Sequence, residues 1–401
     1  MKLNLMFKFL LIPCLFCMSP GVGKSATLHT DTPWLLHIID STSDGADGVR
    51  LGDVNGDGLP DIATGWEEGG LVRVYLHPGH AESAQHWPAV TVGTVADVED
   101  AVFADLNGDG VLEVVSSCEG DHRAMYIHRL AHKDDDPLLP DNWLTEPLEA
   151  ASGLMQWMFS APVVMEPDGM TCLAAGAKNE NAELGIFNRP DPSGRWHWNP
   201  LAKLGWVMSI RVPDMDGDGD MDILFTDRKG PRRGVRWLEN PGDGGLEWKE
   251  HLIGGQDCEL MFLDMGDLDG DGQLELAVAA KDRRILIFDS QPGEGWSRYE
   301  ITYPDNTGRA KAVAIADFDL DGRNDLVVSC ESAVNCSGVF WIRSSSWPDP
   351  GEVEYFDIAG PRGIKFDRIE CVDIDGDGDP DVLTTDERDD LGVIWYENPL
   401  N

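Results

Sequence analysis

The chain has 401 residues, with 72 acidic against 31 basic side chains and a formal charge of −41. That charge repels a phosphate backbone and argues against nucleic acid as a partner, while 42% hydrophobic residues, with 14 Trp and 13 Phe, exclude global disorder. Self-repulsion on this scale disfavours a compact state unless many carboxylates neutralise bound cations.

Met1, Lys2 and Lys8 precede an apolar run over residues 9–18, followed by small residues at Ser19, Gly21 and Gly23. This three-part pattern predicts a secretory signal peptide over residues 1–23 and a mature chain over 24–401. The apolar run is too short for a membrane anchor, so the expected location is secreted or periplasmic with no transmembrane anchor. Cys14 and Cys17 follow Pro13 and Phe16, poor neighbours for a lipid-attachment cysteine. Next, residues 34–40 read as a strand.

From there one unit recurs: an apolar run, an acidic glycine-containing loop and a second apolar run. The loops begin at Asp53, Asp105, Asp214, Asp267, Asp317 and Asp373, with spacings of 52, 109, 53, 50 and 56. Since 109 is twice the unit, a seventh repeat lies between the second and third loops, with Asp168-Gly169 as its remnant. A fixed period of this size signals a propeller or solenoid. The unit around Asp214 contains four strand-like runs, at 208–212, 223–226, 234–238 and 246–253, rich in Val, Ile, Trp and Phe. Four strands in each of seven units predict an all-β, seven-bladed propeller of four-stranded antiparallel blades. Only two strands follow the last loop, so residues 34–40 are expected to supply its outer strand and close the ring.

Oxygen-bearing side chains occupy positions 1, 3, 5 and 9 of every loop, with glycine at position 6. They are Asp53, Asn55, Asp57 and Asp61 in the first, and Asp105, Asn107, Asp109 and Glu113 in the second. Asp214, Asp216, Asp218 and Asp222 follow, then Asp267, Asp269, Asp271 and Glu275. The last two are Asp317, Asp319, Asp321 and Asp325, then Asp373, Asp375, Asp377 and Asp381. Calcium takes six to eight oxygens, which alternate side chains on a tight turn can supply, and magnesium rarely uses an all-protein cage. An EF-hand needs a bidentate Glu at position 12, where these loops carry Thr64, Ser116, Phe225, Val278, Val328 and Thr384. About six bound Ca2+ ions are expected.

With these loops, the strand exits Asp61-Ile62-Ala63 and Asp325-Leu326-Val327, and the pieces Trp237-Leu238-Glu239-Asn240-Pro241 and Trp395-Tyr396-Glu397-Asn398-Pro399, the chain resembles the FG-GAP or VCBS repeat family. Relatives include the integrin α-chain propeller and certain fungal and bacterial lectins. The resemblance spans residues 34–401 and implies a calcium-loop propeller with the ion in the hairpin between the first two strands of a blade. The Phe-Gly element of the integrin-type motif is not evident, so integrin-like partners do not transfer.

The turns joining strands two and three emerge on the face opposite the loops and are polar. Candidate ligand contacts there are Trp66, Glu119, His122, Arg123, Asp227, Arg228, Lys281, Glu331 and Arg388, with Trp157 and Trp206 just before inner strands. Aromatic faces beside charged groups suit carbohydrate or a surface protein ligand. The favoured reading is a monomeric binding module. The alternative is a carbohydrate lyase or dehydratase using His122 as base beside Glu119 and Arg123. Of the six cysteines beyond the signal, Cys330 and Cys336 are close enough in sequence to bridge a hairpin.

Overall fold

The computed structural model describes residues 26–30, 32–165, 170–189, 194–242, 244–291 and 295–400. The signal-peptide segment and the Asp168-Gly169 remnant lie outside the described residues.

Seven antiparallel sheets succeed one another along the chain, and in six of them four strands follow chain order. The first strands are Ala46–Gly52, Val98–Ala104, Gln156–Met165, Val207–Arg211, Leu260–Gly266, Arg309–Ala316 and Glu370–Val372. Each packs beside the first strand of the next blade and the seventh returns to the first, so these strands line a closed central ring. Among the described residues the only helices are three short 3-10 turns.

The second strands are Asp61–Trp66, Glu113–Cys118, Met170–Lys178, Ile223–Asp227, Glu275–Ala280, Asp325–Glu331 and Asp381–Asp386. They are buried on both faces because neighbouring blades cover them, which explains their continuous runs of small and β-branched residues rather than alternation. Two glycines in these strands allow that close approach: a Cβ on Gly65 would meet Val98 of the next blade at 2.6 Å, and one on Gly176 would meet Val207 at 2.6 Å.

Blade seven has the order Leu35–Asp40, Gly392–Glu397, Asp381–Asp386, Glu370–Val372, so the N-terminal strand completes the C-terminal blade as expected. The pairing is in register with blade four's outer pair. His37 stacks on Trp395 at 4.3 Å with its Nε2 2.7 Å from Glu397, and His251 stacks on Trp237 at 4.2 Å with its Nε2 2.6 Å from Glu239. The two Trp-x-Glu pieces therefore mark third strands whose outer neighbour brings a histidine.

One element was not anticipated. Leu28–His29 pairs in parallel with Val353–Asp357, giving blade six a fifth strand. His29 stacks on Phe356, which stacks on Trp341 at 4.3 Å, and the Trp34 N–H donates to the Ile358 carbonyl at 3.0 Å. The N-terminal segment thus straps blade six before it enters blade seven. The sequence left the cysteine pairing open. All six described thiols are free and Cys330 does not bridge Cys336; burial within or beside strands accounts for Cys118, Cys172, Cys258 and Cys330.

Deleting residues 26–40 leaves the third strand of blade seven with an unpaired edge and opens the ring. The truncated chain is expected to aggregate on size exclusion or to melt well below the full chain; an unchanged melt would mean that this strand does not close the fold.

Candidate functional site

Each acidic loop is held by its own carboxylates. In the first, Asp53 accepts N–H bonds from Gly56 at 2.7 Å and Gly58 at 2.9 Å, Asn55 accepts one from Asp57, and Asp57 accepts one from Leu59. Asp105, Asp214, Asp267 and Asp373 repeat the double acceptance from the glycines at positions 4 and 6. Position 4 also requires positive φ, which sequence reasoning assigned to position 6 alone: Gly56 has φ 76° and Gly58 φ 84°. In the blade-six loop Leu320 takes position 4 at φ 54°.

The carboxylate at position 9 faces inward and is buried. Asp61 accepts N–H bonds from Val54 and His77, Asp222 from Met215 and Asn240, and Asp381 from Ile374 and Asn398, each at 2.8–2.9 Å. This gives the Glu-Asn-Pro pieces their physical role, since Asn240 and Asn398 tie the end of the third strand to the loop. Burial, opposed by these bonds and reinforced by neighbouring loop carboxylates, pushes Asp61 and Asp222 up to about 6, Glu113, Glu275 and Asp381 to about 7, and Asp325 to about 8.

The donor set fits a hard divalent cation. Carboxylate oxygens of Asp214, Asp216 and Asp218 lie within 4.8 Å of one another, as do those of Asp267, Asp269 and Asp271, and those of Asp317, Asp319 and Asp325. Oxygens sharing one calcium at about 2.3–2.6 Å fall within such a span. Glu275 Oε1 is buried with no hydrogen-bond partner, a lone pair that a cation would satisfy.

The opposite face has its own periodicity. Fourteen residues after the first aspartate of its loop, each loop-bearing blade places a charged side chain: Glu67, Glu119, Arg228, Lys281, Glu331 and Glu387. Blade three places Lys178 at the same end of its second strand. Six residues before the loop, three first strands contribute Asp47, Glu99 and Lys311, and the segment leading into the seventh contributes Asp367, all buried. The two sets meet around the central well. Lys311 pairs with Asp367 at 2.9 Å, Lys281 with Glu331 at 3.1 Å, Arg228 with Glu259 at 3.1 Å, Lys178 with Glu119 and Lys365 with Glu387. Burial disfavours the Lys311 charge, but Asp367, Asp47 and Glu99 outweigh it and hold Lys311 above the usual lysine range. Burial, then Glu99 and Asp367, drives Asp47 well above the ordinary carboxylate range. Beneath the charges Phe159 and Phe262 meet edge to face at 5.1 Å, and Arg50 binds Asp100 through two 2.8 Å bonds.

Three stretches of the chain, residues 53–116, 214–278 and 267–328, match the FG-GAP-like repeat family. The chain is a seven-bladed propeller that carries FG-GAP-like repeats. No curated protein matches its sequence. Among solved structures it is similar to BBS1N in complex with ARL6DN, in a mercury-soaked and a lead-soaked crystal form. Both are 13% identical, covering 90% of this chain and 96% of that chain, with TM-scores of 0.51 and 0.50. Identity this low shows the shared fold alone.

On this propeller, several ligand candidates from the sequence are structural. Trp66 and Trp157 are fully buried: the Trp66 Nε1–H donates to Tyr75 and that of Trp157 to the Ala151 carbonyl, so neither offers a ring to a ligand. Asp227 is buried and accepts the N–H groups of Gly205 and Trp206, clamping the blade three to four connection. Trp206 is half-buried, and cations of Lys178, Arg228 and Lys229 lie 4.3–4.6 Å from its ring centre. His122 is exposed and bonds Tyr126 at 2.8 Å; among the described residues no hydrogen bond joins it to Glu119 or Arg123. Arg123 and Arg388 are exposed, whereas Glu119, Arg228, Lys281 and Glu331 join the charged ring. The fold supports a binding or protein-interaction role. No described helix is long and apolar enough to cross a membrane.

Two outcomes follow from the charges. The position-9 carboxylates have folded pKa values above their unfolded ones, so the folded state retains protons and loses stability as pH rises through about 6–8. His128, held near 3 by burial, opposes this only below about 6.5. In excess chelator the melting temperature is expected to fall between about pH 6.5 and 8; a rise would contradict the assignment. Removing Lys311 leaves Asp367 and Asp47 buried without their cation. Lys311→Ala should cost about 3–5 kcal/mol by denaturant unfolding, against less than about 1 for the more exposed Lys203→Ala, and equal small costs would contradict the buried pairing.

Proposed function

We propose that this chain is an exported, calcium-loaded binding module whose ligand is a protein surface docked on the charged face opposite the acidic loops. The ring of one charged side chain per blade carries this reading. Its signs fall in sectors, basic at Lys178, Arg228 and Lys281 and acidic from Glu331 and Glu387 round to Glu67 and Glu119, which suits recognition of a patterned charged surface, where complementarity gives specificity. A neutral sugar needs an aromatic platform, but Trp66 and Trp157 are in the core and the half-buried Trp206 ring is flanked by the cations of Lys178, Arg228 and Lys229. A propeller of the same fold, BBS1N, is in complex with a partner protein, which lends support at the level of the fold.

Calcium enters the proposal through the loops, with about six ions held at positions 1, 3, 5 and 9. Each ion would neutralise carboxylates that are otherwise crowded, and the blade hairpins would be its beneficiaries. Export rests on the leader pattern of residues 1–23. An enzyme reading has less support, because His122 pairs with Tyr126 outside any set of converging acid and base groups.

Excess chelator should lower the melting temperature substantially, and Asp216→Ala should lower it by a small part of that amount; a melt indifferent to chelator contradicts calcium loading. For the ligand, the chain immobilised in millimolar calcium should retain one or more proteins from the producing cell's exterior. Lys281→Glu or added salt should weaken that retention more than tenfold. Retention of a glycan with the same mutational sensitivity would replace protein by carbohydrate, and product release abolished by His122→Ala would replace the module by an enzyme.

A further inference from the structure

The pairing around the central well is uneven. Lys311, Lys281, Lys365 and Arg228 are each matched by a carboxylate, at Asp367, Glu331, Glu387 and Glu259. Between blades one and two the balance fails. Carboxylate oxygens of Glu67, Glu99 and Glu119 lie within 4.8 Å of one another, and among the described residues Lys178, paired with Glu119, is the one ammonium ion-paired to any of them. Glu99 is only 9% exposed and makes no hydrogen bond or ion pair with any described residue, although its carboxylate points at Glu67 and Glu119. A buried carboxylate normally finds partners, so this one marks a place where an external group completes the set.

The span of the three oxygens and the charge left over define that group. Oxygens bound to one calcium-sized ion at about 2.3–2.6 Å lie no more than roughly 5 Å apart. Three carboxylates against one ammonium leave two negative charges, which a divalent cation neutralises and an amine or sodium ion does not. We propose that the mouth of the central well holds a divalent cation on Glu67, Glu99 and Glu119, at a site built by the second strands and first strand of blades one and two rather than by an acidic loop. Burial, with Glu99 and Glu68 nearby, already lifts Glu67 above the ordinary range, and burial lifts Glu99 against the pull of Lys178 and Lys311. Burial also lowers Lys178 below the lysine range, while Glu99, Glu67 and Asp47 work against it. The ion would therefore relieve a crowded set in which Lys178 is an incomplete counter-charge.

Manganese separates this site from the loops, because anomalous scattering places each ion individually. Crystals of the full chain soaked in Mn2+ should show a peak bonded to Glu67, Glu99 and Glu119. In Glu99→Gln crystals that peak should vanish while peaks at the loops persist. Peaks at the loops with none at the mouth overturn the mouth site and leave the loop assignment intact, whereas peaks nowhere defeat both. A mouth peak that survives in Glu99→Gln and in Glu67→Gln also overturns the proposal. In solution, equilibrium dialysis of the same two variants should find one Mn2+ fewer per chain than wild type, at a melting temperature in chelator no lower than wild type's; equal counts contradict the site.

Discussion

A buried carboxylate at the ninth position of each acidic loop is the constraint on which the fold depends. Its backbone bonds hold the loop to the blade: Asp222 binds Met215 and Asn240, and Asp381 binds Ile374 and Asn398. The same burial makes its charge costly, with other loop carboxylates close by. The proposed cation would resolve the conflict, because it would permit the ionised, hydrogen-bonded form in place of a protonated one. The excess of acidic residues in the sequence is then a consequence of repeating one such site around a ring.

The two ends of the propeller divide this labour. At one end, identical loops impose the same turn on each first hairpin, with Asp53, Asp214 and Asp373 capping the same pair of glycine N–H groups. At the other, the register of the second strand is equally fixed but the residue differs from blade to blade, from Glu67 to Arg228 to Lys281. Constant geometry with varied charge is how a repeat scaffold presents a particular surface. Below it lie the aromatic pair Phe159 and Phe262, from blades three and five, and the Arg50–Asp100 bond between blades one and two.

Much of this was legible in the sequence because the loops recur with a constant spacing. Strands expected at 208–212 and 223–226 occur at Val207–Arg211 and Ile223–Asp227, and the shared blade differs by a single residue at its start. Other features carried no local signal. Leu28–His29 is two residues long and is defined by a partner more than three hundred residues away. Trp66 and Trp157 sit beside polar turns in sequence, yet blade packing covers both rings. The polar turns were recognised, but not the offset of fourteen residues that aligns Glu67, Glu119, Arg228, Lys281, Glu331 and Glu387, because the change of sign at blade four and again at blade six hides a ring within ordinary turn composition. Asp47, Glu99, Lys311 and Asp367 were missed although a charge within or just before an apolar first strand was their signal.

The central claim is that the loops are cation sites rather than acidic turns. Counting metal on the purified chain by mass spectrometry after exhaustive exchange into calcium buffer and removal of free ion tests it most directly. The account predicts at least six calcium ions per chain, one for each of the six loops. A count of none or one would contradict it.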